Sequence, residues 1–99
     1  MAIKHIVLVK FNGEASEGKI AELSKAFAEL QFKIKGITAF EAGVNESPEG
    51  LNRGLTHAFV MSFVDGAARD AYLPHEQHQA FVSNLKPYLD DVLVVDYSL

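Results

Sequence analysis

The sequence predicts an α+β fold in the order strand, helix, strand, strand, helix, strand, and three observations carry that reading. Runs with strand character stand at both ends of the chain, Ile3 to Phe11 and Asp91 to Leu99. Two stretches show apolar residues at helical spacing, one long and one interrupted by a proline. Between them lie two more strand-like segments joined by a turn-rich connection.

Taken in order, IKHIVLVKF from Ile3 to Phe11 is the first strand, and Asn12-Gly13 breaks it. Ser16 is placed to cap a helix in which Ile20, Leu23, Phe27, Leu30 and Ile34 make one apolar stripe. Gly36 follows where a left-handed backbone is often needed, and Thr38 to Val44 alternates as a second strand. NESPEGLNRG, Asn45 to Gly54, is a surface loop ten residues long. Leu55 to Val64 is the third strand, with Leu55, His57, Phe59, Met61 and Phe63 on one face and Thr56, Ala58, Val60, Ser62 and Val64 on the other. Asp65 caps a short helix carrying Ala67, Ala68, Ala71 and Tyr72; Pro74 interrupts it, and His78, Phe81, Val82 and Leu85 resume the helical spacing as far as Pro87. Asp91 to Leu99 closes the chain as a fourth strand, with Asp90-Asp91 read as a solvated turn.

That order is the ferredoxin-like βαββαβ arrangement, a four-stranded antiparallel sheet with helices over one face. The first and third strands are expected as central neighbours running parallel to each other, which would set His5 beside His57. Both faces of these strands are apolar: Ile6 and Leu8 oppose Val7 and Val9, and Ala58, Val60 and Val64 oppose Phe59, Met61 and Phe63. An uncovered face of this kind forfeits about 1.5 to 3 kcal/mol per large side chain and marks an interface. A homodimer packed sheet against sheet is therefore expected.

Composition narrows the function classes. At 99 residues, with 48% hydrophobic and 22% charged, the chain reads as one folded domain over 1–99. No apolar run is long enough for a membrane span and no secretory leader is visible, so a cytoplasmic location without a membrane partner is expected. There is no cysteine, which removes disulfides, thiolate nucleophiles and cysteine-ligated zinc. Nine Lys plus Arg against thirteen Asp plus Glu, dispersed, argue against a nucleic-acid partner. No nucleotide-binding glycine motif or hydrolase elbow occurs, and no cofactor is expected.

The chemistry rests on four histidines, His5, His57, His75 and His78, with Tyr72 close by. A lone strand histidine is more often hydrogen-bonded in or near the core than catalytic. Tyr72 is by the same reasoning a core aromatic with its hydroxyl at the surface, and His75 belongs to the proline kink. Across that kink, however, Tyr72 and His78 can face the same sheet edge and share a pocket with the strand histidines. A metal centre from His5, His57 and His78 finds little support, since no carboxylate stands at ligand spacing and no His-x-x-x-His falls on one helix.

KHIVLVKF, SPEGLNRGLTHAF, DAYLPHEQHQAFV and DVLVVDYSL together resemble the Dabb family, the stress-responsive dimeric α/β-barrel domain, over nearly the whole chain. The resemblance implies a ferredoxin-like subunit that pairs with a second copy. Family members are functionally mixed, some tied to stress responses and one plant member closing a linear polyketide by aldol chemistry. Carried over residue by residue, that chemistry implies His78 as catalytic base, Tyr72 as donor to the enolate oxygen, and His5 and His57 as substrate-binding groups, with no metal. The readings left open are a stress-associated dimer that binds a small apolar or aromatic ligand and a cofactor-independent cyclase-like enzyme. Ile3, Val7, Phe27, Leu30, Phe59, Phe63, Val82 and Leu85 are the apolar residues that would shape a pocket.

Overall fold

A computed structural model describes all residues from Met1 to Leu99. The chain forms β1 (Ile3–Phe11), α1 (Glu17–Lys33), β2 (Ile37–Val44), β3 (His57–Phe63), α2 (Gly66–Tyr72), α3 (Glu76–Leu85) and β4 (Leu89–Ser98), with a single 3-10 turn at Lys86–Tyr88. The helix boundaries follow the capping chemistry. Ser16 accepts from the Lys19 amide, Asp65 accepts from the Ala68 amide, and Glu17 and Lys33 complement the dipole of α1. Pro74 separates α2 from α3 as the spacing predicts, and the His75 side chain caps α3 by accepting from the Gln77 amide at 3.0 Å.

The sheet has the order β2-β3-β1-β4, and every neighbouring pair is antiparallel. This corrects the expected direction of the central pair. α1 carries the chain back across the sheet, so β2 runs in the same direction as β1; the loop after β2 then reverses it, and β3 enters between them antiparallel to both. The 90–91 pair also differs from expectation: these aspartates lie within β4 rather than in a turn, and Lys10 meets Asp90 at 3.7 Å.

Helices cover one face. Leu23, Phe27, Leu30 and Ile34 from α1 and its C-terminal boundary, and Phe81 and Leu85 from α3, close over Ile3, Val7, Val9, Phe59, Met61 and Phe63. Thus most of the apolar residues expected to shape a pocket are consumed by a packed core, and Val82 is half-buried. The opposite face carries Ile6, Leu8, Val60, Leu93, Val95 and Tyr97 with no cover. On the edge strand β4, Val92, Leu93, Val94 and Val95 are each between 45% and 51% exposed, on both faces. No helix is long and apolar enough to cross a membrane.

Gly36 links α1 to the sheet at φ +97, and a Cβ there would meet the Ala68 Cβ at 2.6 Å. That close approach seats α2 against the start of β2, and α2 carries three of the polar residues described next, Arg69, Asp70 and Tyr72.

Candidate functional site

β1 alternates faces, so the odd-numbered His5 points into the helix layer, where it is only 5% exposed. Antiparallel pairing places Asp96 directly opposite on β4, and the carboxylate accepts from His5 Nδ1 at 2.6 Å. The other carboxylate oxygen of Asp96 accepts from Arg69 Nη1 of α2 at 2.8 Å, while Arg69 Nε donates to Asp70 at 2.9 Å. Three elements therefore converge on one polar chain beneath the helices. Asp96 and Arg69 did not emerge from spacing, because 91 residues separate Asp96 from His5. The β1–β4 register is the signal that pairs them.

Tyr72 ends α2 and is fully buried, lying edge-on to His5 at 5.9 Å and to Phe63 at 5.0 Å between ring centroids. Its hydroxyl is enclosed and has no protein group within hydrogen-bonding distance. Burial raises its pKa far above the ordinary value of 10.0, so the oxygen stays a neutral donor. The expected surface position of this hydroxyl is thereby corrected: α2 turns it inward against the sheet.

His78, in the first turns of α3, lays its ring on Tyr72 with centroids 4.1 Å apart. Its Nδ1–H donates to the Leu73 carbonyl at 2.9 Å, and the same carbonyl accepts from Gln79 at 2.8 Å. A carbonyl can only accept, so the neutral ring has its lone pair on Nε2. Burial lowers the His78 pKa, and the charges of His5 and His75 lower it further; the Leu73 hydrogen bond opposes them. A neutral imidazole with a free Nε2 beside a neutral phenol can accept a proton and hold a developing oxyanion.

His57 is elsewhere. It shares the helix-facing side of the sheet with His5, but β1 pairs Val9 with His57 and His5 with Met61, so the two lie four residues apart along the ladder, about 13 Å. The adjacency expected from parallel strands is overturned by the antiparallel register. His57 packs edge-on to Phe11 at 5.0 Å, shares a 2.8 Å hydrogen bond with Thr56, and has its pKa lowered by burial. It borders a cleft of ≈ 350 Å³ with Leu51 and Arg53, and another of ≈ 290 Å³ with Ile20 and Phe59. The structure thus brings together His5, Tyr72 and His78, adds Asp96 and Arg69, and separates His57 from them.

Comparison with known proteins agrees with this architecture. The chain is 38% identical over 95 residues, 96% of this chain and 87% of the relative, to the stress-response A/B barrel domain-containing protein HS1 of Arabidopsis thaliana. It is 24% identical over 98 residues, 99% of this chain and 97% of the relative, to olivetolic acid cyclase of Cannabis sativa. A dimeric ferredoxin-like protein of unknown function from Jannaschia sp. CCS1 superposes with a TM-score of 0.87 at 29% identity, covering 100% of each chain. Residues 3–99 match the model of the Stress responsive A/B Barrel Domain, and the chain belongs to that family, Dabb.

Proposed function

We propose that this protein is a homodimer, packed sheet against sheet, that binds a small apolar or aromatic ligand at the cluster of His5, Tyr72 and His78. The observation that carries the ligand reading is the Tyr72 hydroxyl, buried without a protein partner beneath the His78 ring. Burying such a group costs about 1 to 3 kcal/mol, and a ligand oxygen that accepts from it recovers that cost. Access requires the cover to move.

The dimer is supported by the uncovered sheet face and by four successive half-exposed aliphatic residues on β4, an edge that an isolated subunit would leave open to nonspecific pairing. The Jannaschia relative is described as dimeric, and HS1 carries a stress-response name, which supports a stress-associated binding role.

A second reading, a cofactor-independent aldol-type cyclase, is favoured by the His78 tautomer. In it His78 Nε2 takes a carbon-bound proton, Tyr72 donates to the enolate oxygen, the enolate carbon bonds to a second carbonyl carbon, and the new alkoxide recovers the proton from His78. Olivetolic acid cyclase among the relatives supports this chemistry, with His5 as a substrate-binding group; His57 would reach such a ligand only along the length of the sheet.

Native mass spectrometry of freshly purified protein, under gentle and then denaturing conditions, tests both parts. The expected result is a dimer carrying a mass of small-molecule size that is released on denaturation. A monomer at micromolar concentration would refute the sheet-to-sheet assembly. A dimer that stays empty and whose melting no small aromatic or carbonyl compound shifts would refute the ligand reading.

A further inference from the structure

Behind His5 stand two groups with no part in the chemistry above, Asp96 and Arg69, which join β4 and α2 to β1. Both are partly buried, with side chains 21% and 26% exposed. Removing such a pair from water offsets much of its attraction, so stability is a weak reason for it to stand there. Its geometry has a more specific consequence.

Asp96 spends one oxygen on Arg69 and the other on His5 Nδ1. Arg69 has no acceptor and holds Asp70 as well, so the guanidinium is gripped on two edges and cannot swing away without losing both carboxylates. The carboxylate is thereby fixed in orientation, with the oxygen that Arg69 does not hold directed at the imidazole. Phe63 and Tyr72, each 5.9 Å from His5 and edge-on to it, wall the ring in. With rotation restricted, the question left open for His5 is which nitrogen bears hydrogen, and a carboxylate on Nδ1 answers it.

We infer that Asp96, clamped by Arg69, is a positioning residue that holds His5 in the Nδ1–H tautomer and so keeps Nε2 as a hydrogen-bond acceptor. Taken with the ligand reading above, on which this part rests, that nitrogen accepts from a ligand hydroxyl while Tyr72 donates to a ligand oxygen. His78 is set in the same way by a different acceptor, the Leu73 carbonyl, so the two imidazoles that pack on the Tyr72 ring present the same pattern.

The test is long-range ¹H–¹⁵N correlation of the imidazole nitrogens in the full-length protein at about pH 8.5, above the ordinary imidazole range. Wild type is expected to show hydrogen on His5 Nδ1 and a bare Nε2. Asp96→Ala is expected to lose that pattern, with hydrogen appearing on Nε2, while the His78 pattern is unchanged. Should Asp96→Ala fail to fold, Arg69→Met serves instead: it is expected to give a tautomer mixture at His5, and Arg69→Lys, which retains a donor, to restore the Nδ1–H form. A protonated Nε2 in wild type, or a His5 pattern indifferent to Asp96 and Arg69, overturns the inference. Titration of the same samples with 4-hydroxyacetophenone, a hydroxyl and carbonyl on one ring, separates the two levels. If the wild-type pattern and its Asp96 dependence are present but the probe moves neither histidine, the positioning assignment stands and the failure falls on the ligand reading.

Discussion

Removing one oxygen atom, in Tyr72→Phe, is expected to make the protein more stable and less functional. The Tyr72 ring is fully buried among His5, Phe63 and His78, and those contacts survive the substitution unchanged. What disappears is a hydroxyl that no protein group satisfies. An unsatisfied buried hydroxyl costs about 1 to 3 kcal/mol, and the space left by one oxygen is too small to impose a comparable cavity penalty. For a domain of this size each kcal/mol moves the melting temperature by about 4 to 8 °C, so Tyr72→Phe should melt about 5 to 20 °C above wild type. The assay is calorimetry of both proteins stripped of co-purified ligand by unfolding and refolding, at one matched concentration, since both assembly and bound ligand raise the melting temperature. Paired with it, the mass of co-purifying ligand should fall, because the donor to the ligand oxygen is gone. This opposition of stability and function is the signature of a group kept for its chemistry. A melting temperature equal to or below that of wild type would refute the reasoning, since it would mean that the hydroxyl is already hydrogen-bonded in the folded state.

Gly36→Ala is expected to cost about 2 to 4 kcal/mol, from a φ of +97 and a Cβ 2.6 Å from that of Ala68, read as a melting shift against Gly13→Ala, whose Cβ meets nothing within 4 Å; if the two variants melt alike, the close seating of α2 is wrong. His78 and His57 both have lowered pKa values, so the unfolded chain binds more protons below about pH 6.5 and the stability present above that value is lost as pH falls through the folded values. Melting temperature should therefore drop between about pH 7.5 and 5.5, and His78→Gln should drop less; an identical slope in the variant would remove His78 from the account. Val95→Glu, opposite Ile6 on the open sheet face, should leave the circular dichroism of the fold intact while native mass spectrometry shows the monomer, and a persisting dimer would move the interface elsewhere.

The sequence by itself determined the elements and their order. Ser16, Asp65, Gly36 and Pro74 act through the backbone within a few residues of themselves, so their effects are legible locally, and the two-residue and 3.6-residue periods separate the strands from the helices. The resemblance of four segments to the Dabb pattern extended that reading to the family. Partnership across the sheet was decided only by the tertiary structure. Strand direction depends on how α1 and the loop after β2 route the chain, and the wrong direction for β3 was enough to bring His57 to His5 on paper when about 13 Å of ladder separates them. In the same way, His5 and Asp96 meet because β1 and β4 pair in one register, over a separation of 91 residues that no local pattern records. Local chemistry fixes a residue's face, and hydrogen bonding between distant strands fixes its neighbours; the candidate site is made of neighbours.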